Sequence, residues 1–325
     1  MFYLLCFSLV LAVMFAIFAL TALASLPALR VLARLKHRIH AGTTANLLFL
    51  FRALPLMLGM AASLGLALPA FLKFEPSSTH EMPGPALLLL AGLGLFIVLT
   101  MAWRCSRILR LTLGLQRQWL KNSTPLRASF KGIPVFCVEG TASLVAVAGI
   151  FSPRIFVSRD VADALNGTEL KAALAHELAH VSAGDNLRQL VLKATQAPGF
   201  LRFFADIDSL WASTSELAAD ERAIAQGASP LDLSSALVKV GRLSFERRSP
   251  LLAASHLVEG CSSATSARVG HLRNLLEHGV SPKQKDTLRH RHYRLAGAAL
   301  ALLVYLFALG TILPQVHEAL EFIVR

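Results

Sequence analysis

The sequence predicts an α-helical multi-pass membrane protein with four transmembrane helices and one α+β domain between the third and the fourth. Hydrophobic residues make up 54% of the 325 residues and charged residues only 16%, whereas a soluble protein has about 25% charged residues. Four charge-free segments are long enough to cross a bilayer. Between the last two of them, short β-branched runs are followed by helical patterns, which is typical of an α+β domain.

The four predicted spans are residues 1–29, 53–72, 86–103 and 295–316. Each is close to or longer than the length of about 20 residues that a helix needs to cross the hydrocarbon core. We do not expect the first to be a cleaved signal peptide, because no basic residue precedes its apolar run and the run is too long. The chain is therefore expected to associate with a lipid bilayer.

Basic residues are concentrated on one side of these spans. The 30–52 loop has five and the 104–131 segment seven, both without an acid, and residues 283–294 have five against one acid. The opposite segments, 73–85 and 317–325, are mainly acidic. The positive-inside rule then predicts a membrane protein with residues 30–52 and 104–294 in the cytoplasm. Residues 73–85, the 317–325 tail and both termini are expected to be external.

Charge and cysteine content argue against two other classes of protein. The net charge is +12, but residues 132–282 contain 13 Lys and Arg against 15 Asp and Glu. A nucleic-acid-binding domain keeps its basic patch in its folded part, so no direct nucleic-acid binding is expected. The four cysteines include no C-x-x-C pair, and this pattern indicates neither a thiolate zinc site nor a disulfide framework.

Three strands are predicted at the start of the cytoplasmic domain. They are β-branched or aromatic runs separated by glycine and proline, and we expect them to form a small antiparallel meander. Their residues are 133–138, 143–148 and 154–158.

The remainder of the domain is predicted to be helical. Thr168 is the expected N-cap of the first helix, and residues 187–204 form a second helix with a kink or break at Pro198-Gly199. Ser213 or Ser215 is the expected cap of a third helix, which runs to Gln226, and another helix begins at Ser229-Pro230.

The first of these helices contains His176-Glu177-Leu178-Ala179-His180, an H-E-x-x-H sequence. The i, i+4 spacing places both imidazoles on one helical face, within reach of a single Zn²⁺ ion. Glu177 lies between them and is positioned to accept a proton from metal-activated water. A pair of ordinary helical histidines is the alternative interpretation of these five residues.

Three carboxylates downstream are candidates to complete such a site, since a catalytic zinc needs a third protein ligand. Glu216 and Asp220 are four residues apart on another helix. Glu216 is the predicted third ligand, because it approaches from a separate helix and has the longer reach. Asp220 is expected to hydrogen-bond a ligand histidine in a supporting role. Asp185 is a second supporting residue, expected at the end of the H-E-x-x-H helix with its short side chain directed along the axis.

This arrangement of spans and motifs resembles the BlaR/MecR-type membrane metallopeptidases. The resemblance rests on three spans, H-E-x-x-H-x-x-x-x-D, a later E-x-x-x-D, and a closing span. The Gly149–Ser158 segment is also similar to that family's G-x-x-x-P-x-I-x-V-P, with Ser158 in place of the last proline.

The resemblance implies a zincin-like protease domain at residues 104–294, one zinc ion held by His176, His180 and Glu216, and Glu177 as general base. It also implies a cytoplasmic protein substrate, which in that family is often a transcriptional repressor. The chain stops at Arg325, without the extracellular penicillin-binding domain of β-lactam-sensing members, so direct antibiotic sensing is not expected.

Two alternatives remain. The HtpX and CAAX-prenyl-protease group has the signatures H-E-x-x-H-x-x-x-G-D and E-x-x-x-D, which also match, although its members usually have further spans. The 187–204 helix contains three basic residues and is therefore a poor candidate for such a further span. The second alternative is a non-catalytic, receptor-like relative with a structural metal. An intact Glu177 favours the enzyme, since a structural zinc site has no use for a general base.

Other residues of the domain are given lesser roles. Three histidines are expected to be single surface residues: His256, His271 and His278. Arg268 is expected to be structural or to support the metal site. An edge strand of the predicted meander is a candidate to bind the substrate backbone by strand addition.

Overall fold

The computed structural model describes residues 1–35, 40–76, 82–139, 144–150, 152–196, 202–246, 255–278 and 314–318. These residues form two compact units. One contains Met1–Leu32, Phe49–Arg104 and the helical residues 314–318, and the other contains Ala33–Leu48 and the described part of Cys105–Pro282. Each unit is described by itself below.

The first unit consists of long apolar helices. The elements that contribute to it are α1 (Phe2–Leu35), α2 (Ala41–Ala62), a π-helical turn (Ser63–Ala67), α3 (Leu68–Phe74) and α4 (Pro85–Lys121). One end of α1, of α2 and of α4 belongs to the second unit. In the part of the chain that the structure describes, three helical segments are long and apolar enough to cross a membrane: Phe2–Leu35, Ala41–Phe74 and Pro85–Lys121. Most of the fourth predicted span, 295–316, lies outside the described residues.

The helices extend well beyond the charge-free runs from which they were predicted. The second begins at Ala41, inside the predicted 30–52 loop, and the third continues to Lys121. Hydropathy marks where apolar side chains end, whereas a helix ends only where its backbone hydrogen bonding is interrupted. The 41–52 and 104–121 segments carry basic side chains, yet nothing in them interrupts the helix.

Two glycines allow the helices of this unit to pack closely. A Cβ added to Gly94 in α4 would lie within 2.4 Å of the Leu11 carbonyl oxygen, and one added to Gly59 in α2 would lie 2.9 Å from that of Met14. Small residues at such contacts are typical of membrane helices, because association there depends on van der Waals packing. Around these contacts α1 buries Leu5, Leu9 and Ala12.

The second unit contains a mixed four-stranded sheet. Its strands are β1 (Ser123–Phe130), β2 (Ile133–Val138), β3 (Val145–Ala148) and β4 (Arg154–Ser158), in the order β1-β2-β4-β3. β1–β2 and β3–β4 are antiparallel, but β2 and β4 are parallel. The predicted antiparallel meander is therefore wrong: β4 inserts between β2 and β3 and leaves β3 at the sheet edge.

Strand β1 was missed in the sequence because it does not alternate regularly. It contains Pro125 and Arg127 and has register shifts on both sides of Arg127, which is tolerated in an edge strand. Its turn into β2 uses Lys131 and Gly132, both with positive φ (47° and 88°). Two positive φ values match the twist that a tight hairpin needs.

Six helices follow the sheet. They are α5 (Arg159–Ala164), α6 (Gly167–Ala183), α7 (Asp185–Ala194), α8 (Arg202–Ala225), α9 (Pro230–Glu246) and α10 (Ser255–His278). The sheet packs on α5, α6 and α9 through a core that includes Val135, Ile155 and Leu174. A second cluster joins α6, α8, α9 and α10 around Ala175, Ala223, Leu233 and Leu272. Helix α6 thus lies in both cores.

Two predicted helix N-caps differ from the structure. The N-cap of α6 is Asn166, whose side chain accepts hydrogen bonds from the backbone N–H groups of Thr168 and Glu169. Residues 187–204, predicted as a helix with a kink or break at Pro198-Gly199, belong to two helices, α7 and α8, and the predicted break falls in residues 197–201, outside the described residues. Ser213 and Ser215 are not caps but lie inside α8, where their hydroxyls donate to carbonyls three residues earlier. Helix α9 begins at Pro230, as the Ser229-Pro230 pair predicts.

Candidate active site

Helix α6 carries the H-E-x-x-H residues and is anchored at both ends. At its start Glu169 accepts a hydrogen bond from the Asn166 N–H and completes a capping box. At its end Gly184 adopts a left-handed conformation (φ 68°) and donates to the carbonyls of His180 and Val181. A positive φ favours glycine, and at this residue the chain changes direction before α7.

The two histidines of α6 direct their Nε2 atoms toward each other. The Nε2 atoms of His176 and His180 are 3.1 Å apart, and the rings are nearly perpendicular. On the other side of each ring, Nδ1 has a carboxylate partner: Asp220 Oδ1 at 2.9 Å for His176, and Asp185 Oδ2 at 2.8 Å for His180. An Nδ1–H that donates to a carboxylate leaves the Nε2 lone pair available to a metal.

Glu216 of α8 lies opposite this pair of nitrogens. Its Oε2 is 3.4 Å from His176 Nε2, and its Oε1 is 3.4 Å from His180 Nε2. Helix α8 packs against α6, and Asp220, one turn after Glu216, reaches the same helix through His176. The structure therefore brings together all the residues that the sequence singled out for this site: His176, Glu177, His180, Asp185, Glu216 and Asp220.

The donor set fits a zinc ion. One ligand atom each from His176, His180 and Glu216 lies within 4.8 Å of the others. Atoms that bind one zinc tetrahedrally at about 2.0–2.2 Å are about 3.4 Å apart, close to the separations observed. Two Nε2 lone pairs facing each other also repel unless a cation or a proton lies between them. The chemistry and the spacing of the residues thus both suit a divalent cation.

The electrostatics of the site favour positive charge at the same place. Burial lowers the pKa of His176, but its hydrogen bonds with Asp220 and Glu216 outweigh burial and raise that pKa to about 9. Burial raises the pKa of Glu216, yet the contact with His176 and the nearby positive charges lower it to about 2. The carboxylates that attract a proton to His176 would attract a divalent cation in the same way.

Glu177 lies between the histidines and strand β3. Its Oε2 accepts a hydrogen bond from the Val147 N–H at 3.1 Å. Burial raises the pKa of Glu177, and the positive charge of His176 and His180 opposes that rise. A carboxylate with a raised pKa is a stronger base than one in water. The Val147 contact had no sequence signal, because the donor is a backbone group on a strand 30 residues away.

A cavity of about 420 Å³ opens onto these groups. Strand β3 forms one side of it with Val145, Ala146 and Val147. Helix α9 contributes an apolar wall, and Trp211, Ala212 and Ser215 come from α8. The residues of the α9 wall are Leu233, Ala236, Leu237 and Val240.

The element predicted for Asp185 is wrong. The sequence placed this supporting residue at the end of α6, with its side chain along the axis and away from the metal face. Because Gly184 turns the chain, Asp185 is instead the first residue of α7, and its carboxylate is directed back to His180.

Among the α10 residues, His271 differs from its expected surroundings, whereas Arg268 lies where a residue that supports the metal site is expected. His271 is not a single surface residue, since its Nε2 lies 3.2 Å from Oε1 of buried Glu221. Arg268 contacts both Glu216 and Asp220. The side chains of His256 and His278 lie outside the described residues.

Residues 112–246 match the model of Peptidase family M48. The matched segment begins within α4, contains the sheet and runs to the end of α9, so it includes every predicted site residue. This match supports a metallopeptidase of that family and does not single out the BlaR/MecR type. No match was found among curated proteins or among solved structures.

Proposed function

We propose that the protein is a zinc-dependent endopeptidase of the bacterial cytoplasmic membrane that cleaves a cytoplasmic protein. The observation that carries the proposal is the convergence of His176 Nε2, His180 Nε2 and a Glu216 carboxylate oxygen within 4.8 Å. A membrane metallopeptidase is supported by the match to Peptidase family M48 and by three helical segments able to span a bilayer. The cytoplasmic position of the domain rests on the distribution of basic residues.

His176, His180 and Glu216 would hold the zinc ion, and Glu177 would move the proton. A zinc ion held there would polarise the scissile carbonyl and would lower the pKa of water at the site to about 7. Glu177 accepts the proton of the attacking water and passes it to the leaving amine. Asp220 and Asp185 would keep the two imidazoles oriented, since a carboxylate oxygen of each lies within hydrogen-bond distance of the Nδ1 atom of one ring.

Strand β3 is proposed to bind the substrate backbone. It is an edge strand, it lines the cavity, and its Val147 N–H already bonds Glu177. A peptide added to this edge would lie beside the general base in an extended conformation, which is a common mode of peptide recognition. The apolar wall of α9 then favours an apolar substrate side chain next to the cleaved bond.

For the natural substrate, a regulatory protein such as a transcriptional repressor is the first candidate. Support comes from the resemblance to BlaR/MecR-type peptidases, with three spans ahead of the H-E-x-x-H motif. A quality-control protease of the HtpX and CAAX-protease type is the second candidate. A specific observation favours it: the Gly-Asp of its H-E-x-x-H-x-x-x-G-D signature corresponds to Gly184, which turns the chain, and Asp185, which holds His180.

Comparison of cells that express the wild type and Glu177→Gln tests the function. The amide keeps the size of the side chain but cannot accept a proton, so cleavage by the purified variant should fall by about 10²–10⁴-fold. Proteins that are cleaved by the wild type and accumulate uncut with the variant are the substrates. Glu277→Gln, at an exposed site of α10, is the matched control.

The identity of the accumulated protein separates the two candidates. A DNA-binding protein supports the regulatory role, and damaged membrane proteins support quality control. If zinc is bound but no cleavage depends on Glu177, the protein is a non-catalytic relative and the proposed activity is wrong.

A further inference from the structure

We propose that Arg268 of α10 is a positioning residue that orients the Glu216 and Asp220 carboxylates for metal binding. The inference rests on the proposed function in taking His176, His180 and Glu216 as the metal ligands. Arg268 lies outside residues 112–246, the segment that matches the peptidase family. It is separated from His176 by 92 residues, so no local spacing links it to the motif.

The guanidinium of Arg268 binds both carboxylates at once. Its Nε donates to Asp220 Oδ2 at 2.9 Å and its Nη2 donates to Asp220 Oδ1 at 2.6 Å. Its Nη1 lies 2.9 Å from Glu216 Oε2. A planar guanidinium that binds a carboxylate through two donors fixes the plane of that carboxylate, which a lysine ammonium cannot do.

This arrangement fixes the carboxylate oxygen of Asp220 that contacts His176. Oδ1 of Asp220, which accepts from Arg268, is also the atom 2.9 Å from His176 Nδ1. Asp220 is fully buried, and the Arg268 side chain is only 15% exposed. The orientation of the His176 ring therefore depends on a carboxylate that Arg268 holds in place.

Arg268 also restricts the rotamer of Glu216. Its side chain is 41% exposed, and its ion-pair contacts among the described residues are with the two histidines and Arg268. A half-exposed glutamate has several rotamers available in solution. The contact with Nη1 favours the rotamer in which the two carboxylate oxygens face the Nε2 atoms of the histidines.

If Arg268 acted only through its charge, its removal would change the metal affinity in the direction opposite to that expected for a positioning role. A guanidinium close to the ligands repels a divalent cation, so its removal should strengthen metal binding if Arg268 acted only as a charge. A positioning role predicts weaker binding after the same removal. The sign of the change in metal affinity therefore separates the two roles.

The test uses the full-length protein in detergent, with Arg268→Gln, Arg268→Lys and the control Arg273→Ala. Arg273 is on the same helix, but it is exposed and pairs with Glu277. Zinc affinity is measured by competition with a chelator, and the absorption spectrum of Co²⁺ in place of zinc reports the ligand geometry. We expect both Arg268 variants to bind zinc about 10–100-fold more weakly, as for other residues that orient ligands, and to change the Co²⁺ spectrum, with Arg273→Ala unchanged.

Equal or tighter zinc binding by the Arg268 variants, with an unchanged Co²⁺ spectrum, would overturn the inference. Arg268→Lys keeps the charge and most of the stem, so it carries the test if the buried Gln variant does not fold. Failure of the proposed function gives a different result, because the wild type itself would then bind no zinc or cleave nothing.

Discussion

Glu216 and Asp220 are one turn apart on the same helix, yet their surroundings differ. The Glu216 carboxylate faces the Nε2 atoms of both histidines, whereas Asp220 contacts His176 at Nδ1, on the other side of the ring. Burial raises the pKa of Asp220, but Arg268 and His176 outweigh burial and lower it. Asp220 is thus a charged acceptor for the imidazole, and Glu216 is the carboxylate available to a metal.

Glu216→Gln and Asp220→Asn should therefore differ in metal content. Both changes keep side-chain size. Loss of the ligand carboxylate should largely empty the site, whereas loss of a partner of a ligand histidine costs about 10–100-fold in affinity. Zinc content of the two purified variants, measured across a chelator series, provides the comparison. Equal occupancy, or lower occupancy for Asp220→Asn, would mean that the wrong carboxylate was assigned to the metal.

At the scale of elements, the start of α6 depends on Glu169. This buried carboxylate accepts hydrogen bonds from the Asn166 N–H and Ser235, and an ion pair with Lys239 at 2.7 Å joins α6 to α9. The contacts with Lys239 and Ser235 lower the pKa of Glu169 from 4.5 to about 2. Because folding lowers this pKa, the ionised carboxylate stabilises the folded state at any pH above its unfolded-state pKa. That stabilisation is lost as the pH falls toward the folded-state pKa.

Glu169→Gln is expected to destabilise the second unit in a pH-dependent way. At pH 7 the Tm should fall by at least about 2–4 °C, which corresponds to 1 kcal/mol for a domain of this size. The difference from wild type should shrink as the pH is lowered from about 5 toward 2, because the wild-type carboxylate then becomes protonated as well. Thermal unfolding at a series of pH values checks this. A difference that stays constant with pH would show that the charge of Glu169 does not contribute.

The apolar unit offers a matched pair of glycines in α4. Gly94 lies against the Leu11 carbonyl, and a Cβ there would approach it to 2.4 Å, whereas a Cβ at Gly92 would meet nothing within 4 Å. We expect Gly94→Ala to destabilise the helix packing by about 1–3 kcal/mol, the usual cost of overpacking. Gly92→Ala should be neutral or slightly stabilising, since alanine is the better helix former. Unfolding of both variants in mixed micelles measures the difference, and similar stabilities would argue against the close α1–α4 contact.

At the scale of the whole molecule, the charge distribution predicts the topology. Of the 32 Lys and Arg residues, 17 lie in the three flanks predicted to be cytoplasmic. Reporter fusions after residue 78 and after residue 282 should therefore give opposite results, with the first external. If a membrane-impermeant reagent labels a cysteine introduced near residue 282 in intact cells, the predicted topology is wrong. The same result would place the peptidase domain, and hence its substrate, outside the cytoplasm.

Features that depend on local periodicity could be predicted from the order of the amino acids. The i, i+4 spacing of His176 and His180 places them on one face of any α-helix, whatever surrounds it. Charge-free runs likewise predicted three segments that are helical in the structure and are long and apolar enough to span a membrane. Helix boundaries were less predictable, since helices continue past the apolar runs to Leu35 and Lys121.

Contacts between groups that are distant in the chain could not be predicted in this way, because they depend on how the helices and strands pack. Asp185 is directed to His180 because Gly184 turns the chain with a positive φ, and Arg268 reaches Glu216 because α10 packs on α8. The strand order of the mixed sheet also depends on tertiary contacts, since β4 pairs with β2 in parallel instead of following β3 at the sheet edge. These contacts join residues far apart in the chain or across a turn, and their energy comes from packing and burial. The periodicity of a sequence predicts single helices and strands, but it does not predict which of them come into contact.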